Sequence, residues 1–339
     1  MQRLKVLCLQ HVRRKFERYL ETWHIKYWDE DVAQLLVMEG CEFWNDIMAR
    51  GTCMHNFEMV QFAINKGADD WEYGLADAVN VGDMELTKFF ISKGARDFDD
   101  CLCYAAERGH MDIIHLLIEH GTTYWNGAMS HAVAEGRIDI VRFFIEKGAN
   151  GWNSALDGAC YGGHLDVIHL LIEKGANDWN RALKSACKAG NMEVIDLLIS
   201  KGANDWDMGF LGACEGNFTS IAKLMADKGA TSWNRGLVYA AEHGNLELVE
   251  FIIDRGANDW NKALKGSVLY GKEDLARFFI GKGANNWDEC MVYATLGNHR
   301  GMVELMVENG ATAFERALGK AKTRDMVDLL TKLRDRVPN

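Results

Sequence analysis

Proline is nearly missing from this chain: of 339 residues only Pro338 is proline, against 33 glycines. Helix interiors exclude proline while short turns still need glycine, so the imbalance argues against a loop-rich sandwich or a Pro-rich linker and points to a mostly helical protein. Runs of 18 or more uninterrupted apolar residues are also lacking, and the first segment, MQRLKVLCLQHVRRKFERYLETW, carries charges every few positions where a signal peptide would have an apolar core. A membrane-spanning or secreted protein is therefore not expected. The nine cysteines are odd in number and scattered, which suits free thiols in a reducing compartment, the cytoplasm or alternatively the nucleus. There is no excess of positive charge; the net charge of −11 speaks against nucleic acid as a partner. What is present, 48% hydrophobic and 26% charged residues, is the composition of a foldable soluble chain.

The organising feature is a repeat. Glycine stands at 40, 67, 94, 121, 148, 175, 202, 229, 256, 283 and 310, so that every gap is 27. Four residues after each glycine comes an aromatic, from Trp44 and Trp71 through Phe98 to Trp287 and Phe314, and nine of the eleven tryptophans belong to this column. A fixed period with no insertion is the mark of a repeat architecture, in which each unit buries its apolar face only against its neighbours. The expected division is an atypical N-terminal helical cap and partial repeat over 1–43, ten full repeats over 44–313, and a C-terminal half-repeat cap over 314–339.

Counting from the aromatic, one repeat reads WNRALKSACKAGNMEVIDLLISKGAND from Trp179. Position 2 is Asn, Asp or Glu throughout (Asn45, Asn126, Asn180, Asp207, Asp288), types that accept a backbone N–H at a helix start, so a first helix is expected to be capped there. Positions 4, 5, 8 and 9 are small or apolar (Ala182, Leu183, Ala186, Cys187), whereas 3, 6, 7 and 10 vary freely, giving one buried and one open helical face. Position 12 is Gly, Asn or His, most often Gly, which tolerates the left-handed conformation of a helix C-cap. A second helix follows with an acidic first turn and an apolar block such as Val194-Ile195-Asp196-Leu197-Leu198-Ile199, closing on Lys201-Gly202. Leucine-rich repeats share the period but need a strand reading L-x-x-L-x-L, and no unit has one.

The stretch ACYGGHLDVIHLLIEKGAN at 159–177 resembles the ankyrin core pattern, in which A-A-x-x-G-H precedes L-x-V-V-x-L-L-L and G-A-D. The resemblance implies an all-α, ankyrin-like helical solenoid of about ten helix-turn-helix units with atypical capping units and very short inter-repeat loops. The departure is equally plain: ankyrin units have 33 residues and open on T-P-L-H, whereas this chain has 27 and no T-P-L-H. The six missing residues fall where the family carries its β-hairpin finger. Short units with G-A-N-D-W-N links further resemble the ankyrin-type proteins of giant DNA viruses, which implies a virus–host role in the host cytoplasm.

Conspicuous residue types have ordinary explanations within such an array. A tryptophan in every repeat does what every repeat needs, stacking on its neighbours and shielding the shortened turn. Cys160, Cys187 and Cys214 fill successive position 9 sites as small core residues, and Cys101, Cys103, His110, His115 and His120 have spacings that place side chains on different helix faces, so no metal is expected. His110, His164 and His299 stand at the family's G-H turn. No G-x-S-x-G, G-x-x-x-x-G-K-[ST] or H-E-x-x-H occurs, and neither an enzyme nor a cofactor is expected.

The informative feature is what does not repeat. On the open face of the first helix, early repeats place Asp46, Asp77, Asp100 and Glu107, while later ones place Arg181, Lys184, Lys188, Arg235, Lys262 and Lys265 with Met208, Leu211 and Tyr239 among them. An apolar centre at Met208 and Leu211 inside a charged rim is the anatomy of a protein interface. The expectation is a non-enzymatic, monomeric protein–protein interaction scaffold whose partner offers an acidic segment. A structural spacer or self-assembling rod, and a substrate receptor for a ubiquitin ligase, are the alternatives.

Overall fold

The computed structural model describes residues 43–336; the expected cap over 1–43 therefore lies almost wholly outside the described residues. Among the described residues there are 22 α-helices and no strand. The chain divides into two compact parts, Met1–Asn150 and Gly151–Asn339. The described residues of the first hold four helix pairs, and the second holds seven, ending with Phe314–Leu318 and Arg324–Arg334. Within each part, first helices pack on the first helices of adjoining repeats and second helices close each pair.

Repeat 6 shows why these residues fold this way. Its first helix, Trp179–Ala189, buries Ala182, Leu183, Ala186 and Cys187, and its second, Met192–Ser200, buries Val194, Ile195 and Leu198. Small residues on the first helix let the backbones approach, and the branched residues of the second fill the space between layers. Where a first helix carries glycine at position 4 a large side chain fills the gap: a Cβ on Gly74 or Gly236 would lie 2.5 or 2.4 Å from the rings of Phe90 or Phe210, and one on Gly209 would lie 2.7 Å from Met225 Sδ.

Both turns of every repeat are closed by a left-handed residue. All positive-φ residues among the described ones fall in two columns, position 12 (seven glycines with His55, Asn217 and Asn298) and the period glycine at position 24. Nearly all are followed by a residue whose N–H reaches back over the helix end, as Asn191 N–H does to Ala186 (3.0 Å) and Ala203 N–H to Leu198 (3.0 Å). This paired closure satisfies the last carbonyls of a helix and fixes the direction of the exit, which is why Gly-Ala recurs and why the alanine is buried.

The capping expectation needs correction. The first helix begins at the aromatic, one residue earlier than position 2, and its N-cap is the residue before that: Asp70, Asp178, Asp205 and Asp259 each accept the N–H three residues on. Position 2 points to the next repeat. Asn180 Oδ1 accepts the backbone N–H groups of Asn204 (2.9 Å) and Asp205 (3.0 Å), and Asn153 does the same for Asn177 and Asp178. Asn45, Glu72, Asp207, Asn234 and Asp288 repeat the pattern. In several repeats the amide also donates to the next link's asparagine, as from Asn153 to Asn177 (3.4 Å) and Asn261 to Asn285 (3.3 Å). With no room for a hairpin in a link this short, the side chain supplies the acceptors that the link's backbone donors require.

The tryptophans are half-buried rather than core residues. Trp44, Trp125 and Trp260 pack on Phe62, Phe144 and Phe279 of their own repeat's second helix, and Trp233 packs on Phe210 of the preceding repeat. The column thus clasps helix pairs more than it ladders from repeat to repeat. On the outer side of the second helix, Lys66, Lys93, Lys147 and Lys282 sit 5.2–5.6 Å over the phenylalanine one turn earlier, covering an apolar ring with an aliphatic stem and a charged tip.

Candidate functional site

The first-helix face of repeats 6 to 9 is held by rigid elements: an aspartate N-cap fixes the start of Trp179–Ala189, Trp206–Glu215 and Trp260–Leu269, and the position 2 clamp fixes each link. Position 3 runs along this face as Arg181, Met208, Arg235 and Lys262, of which Met208 is half-buried and the others are exposed. Tyr239 is half-buried.

Leu211 is not where the pattern predicts. It is only 5% exposed, so it belongs to the core and cannot form the apolar centre of an open surface. The cause lies in its neighbours. A Cβ on Gly212 would stand 2.3 Å from the carbonyl oxygen of Lys184, and one on Gly216 would stand 2.0 Å from that of Lys188. Trp206–Glu215 therefore closes on Trp179–Ala189 to backbone contact, which side chains at these positions would forbid, and the residue between the two helices is covered.

The positive rim is largely neutralised from within. Arg181 Nε donates to Asp157 (3.1 Å), Lys262 pairs with its own N-cap Asp259 (2.8 Å), and Lys265 pairs with Glu289 (2.9 Å) while lying 4.2 Å over the Tyr293 ring. Lys184 (3.3 Å) and Lys188 converge on Glu215. Burial pushes the Glu215 carboxyl up, but hydrogen bonds from Lys188 and Lys184 outweigh it and hold it below the usual glutamate range, and the same bond raises the Lys188 ammonium. Exposed pairs of this kind each contribute roughly 0 to 1 kcal/mol. Among the described residues Arg235 has no ion-pair partner. Sequence reasoning missed Glu215 as the organiser of this face; the available signal was an acid at position 10 opposite lysines at positions 6 and 10 of the preceding repeat.

Burial pushes the thiols of Cys160, Cys187 and Cys214 up to about 12, which keeps them protonated. His299 Nε2 bonds the carbonyl of Leu269 (2.9 Å), a turn-closing contact. An open depression of about 680 Å³ beside the turn of repeats 1 and 2 is lined by Phe57, Leu86 and Phe89, with His55 Nδ1 bonded to Asp83 (2.9 Å) at its edge. None of the helices among the described residues is long and apolar enough to cross a membrane.

Helix pairs closed by left-handed glycines and joined by clamped links define a helical repeat protein. Residues 75–155 match a family model described as ankyrin repeats (3 copies), and residues 156–199 match one described as ankyrin repeats (many copies). The chain thus carries ankyrin repeats over residues 75–199, a type of repeat that binds protein partners. No curated protein matches the chain.

Proposed function

We propose that this ankyrin-repeat protein is a non-enzymatic scaffold that binds a protein partner along the position 3 column of repeats 6 to 9. The observation that carries this reading is Arg235: it is exposed, and no carboxylate among the described residues neutralises it. Lys262 beside it in the column pairs only within its own helix start, with its side chain 73% exposed. An acidic segment lying along the column would meet Arg235 and compete with Asp259 for Lys262, while Lys184, Lys188 and Lys265 stay engaged inside the array. Met208 and Tyr239 supply the adjoining apolar and aromatic area that interfaces favour. On the resemblance to giant-virus ankyrin proteins, the partner is a host protein and the compartment the host cytoplasm.

Affinity capture from cells, with the parent and with Arg235→Glu plus Lys262→Glu, tests this. A partner recovered by the parent and lost with the double variant supports the reading, and its association rate should fall as salt rises because exposed charges steer encounter. Equal capture by both places the binding surface elsewhere.

A further inference from the structure

Within Gly151–Asn339, six large apolar side chains are exposed among the described residues, and five of them, Tyr161, Met192, Phe218, Leu246 and Tyr270, stand at or beside the turn between the two helices. They come from repeats 5, 6, 7, 8 and 9, one from each, with exposures of 37–55%. Helix pairing does not require them. Positions 10, 11 and 13 hold Glu107, Arg108, Arg137 and Lys272 in other repeats, while position 14 holds Glu273 and Arg300 but also Met111 and Leu165, which are less exposed than Met192 and Leu246.

The turns that carry them stack directly. Asn191 Nδ2 donates to the carbonyls of Cys160 (3.2 Å) and Tyr161 (3.1 Å), the Phe218 ring lies against Gly190, Asn245 Nδ2 donates to Asn217 Oδ1 (2.7 Å), and the Lys272 stem lies against Gly244. The exposed side chains therefore share one continuous edge on a rigid support. Scattered apolar residues on a surface need no explanation, but a row drawn from five consecutive repeats marks an interaction site.

Charge beside the row identifies the occupant. Asp166, Glu193, Asp196, Glu250 and Asp274 are exposed and have no ion-pair partner among the described residues. Asp196 lies one helical turn beyond Met192, and Glu250 one turn beyond Leu246, so each shares a helix face with an exposed apolar residue. Both stand past the first turn, where a carboxylate no longer serves the helix dipole.

We propose that the stacked turns of repeats 5 to 9 form a docking ridge for a basic protein segment bearing apolar side chains. This surface goes beyond the first-helix reading and has the opposite charge preference. Apolar anchors set the affinity and unpaired carboxylates select for lysine and arginine. An anionic membrane would be repelled by the same carboxylates.

The test uses the full chain and three labelled peptides in fluorescence anisotropy: one with leucine and lysine on opposite helix faces, one with leucine and glutamate, and one with glycine and lysine. The leucine–lysine peptide is expected to bind. Tyr161→Ser with Leu246→Ser and Tyr270→Ser should weaken it by roughly tenfold or more, and Asp196→Asn with Glu250→Gln should weaken it and flatten its salt dependence. Both variants should melt with the parent, because the positions are exposed, and Arg235→Glu should bind as the parent does, separating this ridge from the first-helix surface. Equal binding by parent and ridge variants, equal binding of the leucine–glutamate or glycine–lysine peptide, a parent dimer that the triple variant abolishes, or binding to anionic vesicles that the triple variant abolishes would each overturn the proposal.

Discussion

Replacing Asn180 by alanine tests the clamp between repeats. Its carboxamide oxygen accepts two backbone N–H groups, from Asn204 at 2.9 Å and Asp205 at 3.0 Å, and alanine leaves both without that acceptor. A net protein hydrogen bond contributes about 0.5 to 1.5 kcal/mol. Because water reaches the link, the lower half of that range applies to each bond, or about 1 to 2 kcal/mol in total. In a repeat array such a loss acts on the nearest interface, so a global melt spreads and dilutes it. Native-state hydrogen exchange resolves it: the amides of Asn204 and Asp205 should exchange about 5- to 30-fold faster. Asn180→Asp keeps an acceptor, as Asp207 and Asp288 do at the same position, and should leave exchange near the parent rate. Asp178→Ala is the internal contrast, since it removes the N-cap of the same helix and should loosen the Arg181 amide at a cost of about 1 kcal/mol. If Asn180→Ala instead loosens the start of Trp179–Ala189, or if Asn180→Asp is as damaging as alanine, position 2 caps its own helix and the clamp is wrong.

The residues that make the fold were legible because each answers to a local rule. Helix ends need a residue that tolerates positive φ, and both columns of such residues fall where the glycines and asparagines of positions 12 and 24 predict. Burial of Ala182, Leu183, Ala186 and Cys187 follows from helical periodicity. The misassigned position 2 shows the limit of such rules. Asn and Asp accept backbone N–H groups wherever they stand, so a residue type identifies the bond without identifying the donor. The donors belong to residues 24 and 25 positions later, and only tertiary packing brings them there.

Reading the binding face failed differently. Position 3 does lie toward solvent in most repeats, but position 6 is buried at Ala49, Cys103, Leu211 and Val292 and half-buried elsewhere save at Ser130, and at Leu211 the glycines at 212 and 216 bring the preceding first helix to backbone contact. Periodicity within one helix groups position 6 with the open face, whereas the adjoining first helix covers it. Charge was misjudged for a related reason: Lys184 and Lys188 read as a positive rim until Glu215, 27 residues beyond Lys188, is placed between them. Residues on adjacent repeats are spatial neighbours at an offset of one period, so the charge of such a face has to be counted across repeats and not along one helix.

Three further perturbations test the packing and the electrostatics. Trp179→Ala should cost about 2 kcal/mol, below the roughly 3 to 5 expected of a fully buried aromatic, because the ring is half-buried; a denaturant titration showing the larger loss would make the column a core element. Gly212→Ala should cost about 3 kcal/mol, since its Cβ would meet the Lys184 carbonyl oxygen at 2.3 Å, whereas Gly175→Ala, with φ +104 and open space around it, should cost about 1 to 2 kcal/mol from backbone strain alone; equal melting shifts would refute the close approach. Glu215 makes the face depend on pH. Its carboxyl is held below the ordinary glutamate value of 4.5 by Lys188 and Lys184, against the effect of burial. A group whose pKa is depressed on folding contributes its stabilisation above its unfolded value and loses it as pH falls through the folded value. Glu215→Gln should therefore melt below the parent at neutral pH, with the gap closing as pH drops beneath 4.5. The lysine partner imposes the opposite limit: the Lys188 ammonium is raised by the same bond, so its contribution is complete at neutral pH and is lost only in strongly alkaline solution. A gap between parent and Glu215→Gln that stays constant from neutral to acid pH would mean that Glu215 acts by its shape alone, and the two lysines would then be free to meet a partner.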